Sequence, residues 1–191
     1  MNKPKKNKKP KSAKAKKTFA PGKQANSKKS KKLVVFYSRT GITRKVANAI
    51  AQELQAELEE LVDKKSRKGI MGWLSGGRDA MKKILTELEP LEKDLSEYEI
   101  IVIGTPIWAG NMAPAARTFL SQNRGKLKKV AFFHTRGGSG LEKVEKELWQ
   151  ALSATAASAT VAAKSLALLR REVVKDLHAD KVKEFAKQLI G

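Results

Sequence analysis

Apolar residues along the chain follow two different periods. Leu33–Tyr37 and Ile100–Ile103 are unbroken β-branched and aromatic runs, and Lys129–His134 holds a third around Val130 and Phe133. Runs without polar alternation suit strands buried on both faces of a parallel sheet. Between them the spacing turns helical. Val46, Ile50 and Leu54 recur within Thr43–Leu54, and Leu141, Val144, Leu148 and Leu152 share one face of Leu141–Leu152. Pro114 suits the first turn of a helix running to about Arg124. A short strand is predicted near Glu57–Val62, a fifth near Val161–Leu169 after an alanine-rich stretch, and a last helix over Asp180–Ile190. Residues 63–98 read as a charged connection in which Arg78–Leu85 is helical and Gly69, Gly72, Gly76 and Gly77 mark turns. Strands alternating with helices predict an α/β fold: one three-layer, doubly wound domain around a five-stranded parallel sheet.

Charge divides this picture in two. The 191 residues carry a formal charge of +21, and fourteen of the lysines lie in residues 1–32, which contain no Asp, Glu or Arg. That leaves +7 for residues 33–191. The first 32 residues repel one another and have little to bury, so they are expected to form a disordered basic tail ahead of the folded domain. Such a tail is either an electrostatic arm for nucleic acid or another anionic surface, or a solvated extension with no partner. The absence of Cys excludes a disulfide framework, a thiolate-held metal and a cysteine nucleophile. Two histidines make a multi-histidine metal site improbable on numbers alone. The apolar runs are too short to span a bilayer, and the basic N-terminus lacks the apolar stretch of a secretory signal. A cytoplasmic location is therefore expected.

Ligands of an open parallel sheet bind beyond the carboxyl ends of its strands, where the strand order reverses. Three loops fall there. Ser38-Arg39-Thr40-Gly41-Ile42-Thr43 brings hydroxyls and a helix start with free backbone N–H groups, which is an anion site. It lacks the spacing of a nucleoside-triphosphate loop and of a dinucleotide fingerprint; its bland alternative is an ordinary helix cap from Ser38 or Thr40. Thr105-Pro106-Ile107-Trp108-Ala109-Gly110-Asn111 offers a flat aromatic face and a glycine able to take positive φ, or else a tryptophan that only closes the core edge. Thr135-Arg136-Gly137-Gly138 lets backbone approach a ligand closely, or is a plain connector. His134 beside this loop is more readily a structural histidine than a proton relay. His178 is expected at the surface and Trp149 at the core edge; Trp73 is more readily in local packing than covering a ligand or docking a partner.

The three loops together resemble the flavodoxin family over about residues 33–190. The match rests on Ser-x-Thr-Gly-x-Thr after the first strand, Gly-Thr-Pro-Ile-Trp-Ala-Gly from Gly104, and Thr-x-Gly-Gly-x-Gly from Thr135. The resemblance implies sheet order 2-1-3-4-5 and non-covalent FMN. Residues 38–43 would cradle its phosphate. Thr105 through Asn111 would line one side of the ring with Trp108 stacked on it, and Thr135 through Gly138 would line the other. A backbone carbonyl near Gly110 would accept a hydrogen bond from the reduced ring. Ile42 stands where the family usually has Asn, and the domain is basic where flavodoxin electron carriers are typically acidic. The expected function is electron transfer between a redox partner protein or small acceptor and a second partner. The alternatives are an NAD(P)H-dependent reductase of quinones or other small acceptors, and a binding module that acts through its basic tail. A homodimer stays open.

Overall fold

The computed structural model describes Met1, residues 30–153 and residues 160–190. The predicted tail lies outside the described residues from 2 to 29. Its C-terminal boundary moves: Lys32 already belongs to the first strand, and the Lys31 carbonyl accepts the Glu99 N–H at 2.9 Å. In chain order the strands are β1 (Lys32–Phe36), β2 (Glu57–Glu60), β3 (Ile100–Trp108), β4 (Asn111–Met112), β5 (Lys129–Arg136), β6 (Thr160–Val161) and β7 (Leu166–Leu169). The helices are α1 (Ile42–Leu54), α2 (Gly69–Met81), α3 (Pro114–Asn123), α4 (Leu141–Ser153), α5 (Arg170–Val174) and α6 (Ala179–Ile190).

The sheet runs β2-β1-β3-β5 in parallel, and β6 and β7 both pair with β5 in parallel. Counted as one interrupted strand, these two pieces complete the 2-1-3-4-5 order. The interruption is a bulge: Val161 pairs with Val130 and Leu166 with Phe133, so residues 162–165 face only Ala131 and Phe132. Alternation along the strands divides the core between two faces. Leu33, Val35, Ile101, Ile103, Val130 and Phe132 pack with residues of α3 and α4. Val34, Phe36, Val102, Ala131 and Phe133 pack with residues of α1 and α6. That is the three-layer, doubly wound arrangement. The apolar runs are continuous because both strand faces are dry. α1 and α3 therefore cover opposite faces, and the order reverses between β1 and β3, which opens a crevice at their carboxyl ends.

Two predicted segments fold differently. Residues 105–112 are a β-hairpin rather than a loop. β3 continues to Trp108, and Ala109 (φ 46°) and Gly110 (φ 69°) form a two-residue turn into β4. In the 63–98 connection, Gly72, Gly76 and Gly77 lie inside α2, which ends at Met81 instead of beginning near Arg78. Gly72 and Gly76 serve packing, not turning. A Cβ on Gly72 would come within 2.2 Å of the Arg67 carbonyl carbon, and one on Gly76 within 2.8 Å of the Trp108 ring. α2 is also pinned by charge. Buried Arg67 donates from Nε to Asp63 (2.8 Å) and from Nη1 to Asp79 (2.6 Å), and Lys65 Nζ reaches the same Asp79 oxygen at 2.8 Å. Burial pushes the Asp79 pKa up, but the hydrogen bonds and charges of Lys65 and Arg67 outweigh it and hold the carboxyl at about 2.

Candidate functional site

The first loop is built around the start of α1. Gly41 is its N-cap at φ 84°, and no side chain caps the helix. The Ser38 hydroxyl instead accepts the Gly41 N–H at 3.1 Å, which folds the loop back on itself. The Lys45 N–H is the first to bond within the helix, to the Gly41 carbonyl at 2.9 Å. The first-turn N–H groups of Ile42, Thr43 and Arg44 thus have no intrahelical acceptor, and no acidic residue stands in that turn. The ordinary cap by Ser38 or Thr40 is not what the structure adopts. Buried Thr43 shares a 2.8 Å hydroxyl hydrogen bond with Thr135, which fastens this loop to the end of β5.

The second loop is the β3–β4 hairpin. Asn111 Nδ2 donates to the Ala109 carbonyl at 2.6 Å and holds the turn. The Thr105 hydroxyl is used inside the fold, accepting the Ala113 N–H and donating to the Pro106 carbonyl. Trp108 meets the Tyr37 ring edge-on, centroids 5.6 Å apart and planes at 78°. Burial pushes the Tyr37 hydroxyl up to about 12, so it stays neutral beneath the tryptophan. The third loop closes on the second. Gly140 sits at φ 98°, and a Cβ there would lie 2.5 Å from the Gly110 Cα. Arg136 Nη1 donates to the Gly138 carbonyl and curls the loop.

Between these loops lies a cavity of about 490 Å³. The predicted residues Arg39, Thr40, Ile42 and Thr43 line it from the first loop, Pro106, Ile107, Trp108 and Ala109 from the second, and Thr135, Arg136 and Gly137 from the third. Ser38, Gly41, Thr105, Gly110, Asn111 and Gly138 do not line it. Of these, Ser38, Gly41, Thr105 and Asn111 hold the loops in shape through the bonds described above. α2 adds Trp73, Leu74, Gly77, Arg78 and Met81, and Arg170 enters from the start of α5. Apart from Trp73, for which covering a ligand is the lesser of the sequence readings, none of these is legible as a site residue, because residues 63–98 read as a turn-rich connection and α5 is too short to set a period. The one available signal was the four-residue spacing of Gly72, Gly76 and Ala80, a small-residue helix face.

Three other single residues fall elsewhere than expected. Trp73 is 60% exposed at the cavity edge and Trp149 is 55% exposed, whereas His178 is buried. His134 is fully buried, away from the cavity lining, and neither ring nitrogen has a hydrogen-bond partner among the described residues. Burial alone lowers its pKa to about 4 and keeps it neutral.

No acidic residue lines the cavity, while Arg39, Arg78, Arg136 and Arg170 do. The arrangement can take an anion at the bare helix start and a planar apolar group against Trp108.

Known proteins share the fold that carries these loops. A family model described as flavodoxin matches residues 31–182. A protein from Bacteroides uniformis described as a flavoprotein is 25% identical, with a TM-score of 0.68 over 83% of this chain and 98% of its own. A flavoprotein from Lactobacillus acidophilus, solved in complex with FMN, is 24% identical with a TM-score of 0.59 over 76% of this chain and 97% of its own. Oxidised flavodoxin 2 from Bacillus cereus shares the fold at 19% identity and a TM-score of 0.54, over 84% of this chain and 98% of its own.

Proposed function

The chain belongs to the flavodoxin family, and from that premise we propose that it holds FMN non-covalently in the cavity and passes electrons between a redox partner protein or small acceptor and a second partner. One observation carries the reading: an uncapped helix start and a tryptophan wall open into the same cavity. A phosphate monoester with a planar, mainly apolar ring needs that pair of features. The donors present fit it. Backbone N–H groups of Ile42, Thr43 and Arg44 hold the phosphate, with the Thr40 hydroxyl and Arg39 beside them. Trp108 bounds the ring on one side, and the backbone of Thr135–Gly137 approaches from the other. Ile42 in place of the family's Asn removes a side-chain contact but keeps its backbone donor.

Bound FMN supplies the redox chemistry by taking up and releasing one or two electrons. The protein's part is to bind, orient and exclude water. The Gly110–Gly140 contact and the Thr43–Thr135 bond hold the three loops in register, so the ring site is formed by packing rather than by loose segments. No side chain is assigned as a general acid or nucleophile.

The reading is tested by the absorbance spectrum of the purified protein and by calorimetry with FMN. A yellow protein that releases FMN, or an exothermic titration of apoprotein, is the expected result. Trp108→Ala should weaken FMN and riboflavin alike by about tenfold or more, with inhibition by inorganic phosphate unchanged. A colourless protein without binding heat defeats the assignment. The reductase alternative draws support from Trp73, Leu74 and Met81, which extend the apolar lining beyond the three loops. Fast NAD(P)H-dependent quinone turnover by the holoprotein would favour it over electron transfer between proteins.

A further inference from the structure

α2 is amphipathic the wrong way round. Its inward face is Gly72, Gly76, Asp79 and Ala80, small residues plus a carboxylate neutralised by ion pairs. Its outward face carries Ile70 (77% exposed), Met71 (77%), Trp73 (60%), Leu74 (52%) and Met81 (58%). The turn that follows adds Ile84 and Leu85, also exposed. A helix on a globular domain ordinarily turns its large apolar side chains toward the core. Here the fold spends glycine contacts and a buried Asp63–Arg67–Asp79 cluster to hold them outward. So many large apolar side chains exposed on one helix and the turn after it are uncommon unless something covers them. The cavity accounts for Trp73, Leu74 and Met81 in part, but Ile70, Met71, Ile84 and Leu85 do not line it.

The charge around the patch selects the covering surface. Between Lys64 and Leu85 the chain has seven Lys and Arg and a single acid, buried Asp79; Arg67 is buried with it, Lys65 pairs with it and Lys64 pairs with Glu87, which leaves Lys68, Arg78, Lys82 and Lys83 as the exposed cations of the helix and its ends. Lys68 stands at the start of the helix, and Lys82 and Lys83 at its end. None of the three makes an ion pair among the described residues. A second copy of the chain meeting this face across a two-fold axis would set like charges against like. No helix among the described residues is long and apolar enough to cross a membrane, and the thirteen residues of α2 are far too few. Large apolar groups with a tryptophan, bracketed by lysines and held on a convex helix, match what an interfacial segment presents to an anionic bilayer.

We propose that α2 and the turn after it form a peripheral docking surface for anionic membranes, on which Ile70, Met71, Ile84 and Leu85 enter the headgroup boundary and Lys68, Lys82 and Lys83 meet lipid phosphates. Because α2 also walls the cavity, docking would bring the cavity edge to the lipid surface, where an acceptor dissolved in the membrane is at hand. The surface does not depend on the FMN reading, and its test does not read the cofactor.

The experiment is flotation of the full chain with vesicles of phosphatidylcholine alone and of phosphatidylcholine containing phosphatidylglycerol, at about physiological salt. Binding is expected only to the anionic vesicles. The lysine-rich N-terminal sequence also favours them, so the decisive arm is Ile70→Gln/Met71→Gln in the full chain. Two fewer inserted side chains should weaken partitioning roughly tenfold. Lys82→Gln/Lys83→Gln should weaken it and flatten its salt dependence. Circular dichroism and thermal melting verify that the variants are folded. Equal partitioning of wild type to both vesicles, or undiminished binding by Ile70→Gln/Met71→Gln, overturns the proposal. So does a dimer in sedimentation velocity that this double variant dissociates, since the patch would then serve a second copy.

Discussion

His134 is a neutral imidazole sealed in the core, and its titration has a definite sign. Burial lowers its folded-state pKa to about 4, whereas the unfolded chain keeps the ordinary value near 6.5. Below about pH 6.5 the unfolded chain binds a proton that the folded one refuses. Stability is therefore whole above that pH and is lost as pH falls toward 4. The loss should reach about 2–3 kcal/mol by pH 4.5. Urea melts of wild type and His134→Leu check this: the wild type should decline over that window and the variant should decline less. Gly140 is constrained for a different reason. Its positive φ and the 2.5 Å approach that a Cβ would make to Gly110 predict that Gly140→Ala costs about 1–3 kcal/mol, measurable by the same melts, with Gly137→Ala as the mild control because it has open space around it. The sequence marked both positions as residues of note. It could not say that His134 lacks partners or that the second and third loops touch through their glycines, because both facts depend on pairs far apart in the chain.

Among the elements, α2 departs furthest from its sequence. Its large apolar residues point outward because a helix can seat on β3 and α3 only through a face with little side-chain volume, and Gly72, Gly76 and Ala80 supply one. The Asp63–Arg67–Asp79 cluster then decides whether the helix stays. Arg67→Met leaves buried Asp63 without its cation and Asp79 without its guanidinium, though still bonded to Lys65, and should cost about 3 kcal/mol, with faster hydrogen exchange in α2 than elsewhere. Asp79 gives the cluster a pH dependence in a lower window than His134. Its carboxyl is held at about 2 against an ordinary 3.8, so its contribution is intact above about pH 4 and disappears as pH falls toward 2. About 2 kcal/mol should be lost there, and Asp79→Asn should flatten that limb of the acid titration while lowering stability at neutral pH. β1, β3, β5, α1, α4 and α6 were legible because burial on both strand faces, or on one helix stripe, writes a short-range period. β6 and β7 read as one strand because a bulge leaves no mark in apolar periodicity. α5 follows β7 too closely, and is too short, to establish a period of its own.

Over the whole molecule, charge sets what the cavity prefers. Residues 33–191 carry +7, and four arginines but no acid line the site. A positive field stabilises negative charge, so the second reduction potential of bound FMN should lie above that of an acidic relative, and Arg136→Gln should lower it by an amount on the order of tens of millivolts. Potentiometry that finds an equal or lower potential than in the acidic relative removes this account. Residues 1–32 add fourteen lysines, and if they grip nucleic acid, affinity should fall with salt at a log–log slope of about −0.9 per neutralised phosphate on duplex DNA. What the sequence alone determined was the α/β alternation, the two-faced burial of the central strands, the placing of three loops at strand ends and the division of charge. Each of these is written within a few neighbouring residues. Only the tertiary structure decided that the first helix starts bare, that glycine contacts set the register of the loops, that α2 and Arg170 complete the cavity, and that one helix carries its apolar side outward. Those features arise from close approach between distant segments, where a missing Cβ or a buried ion pair outweighs what local periodicity favours.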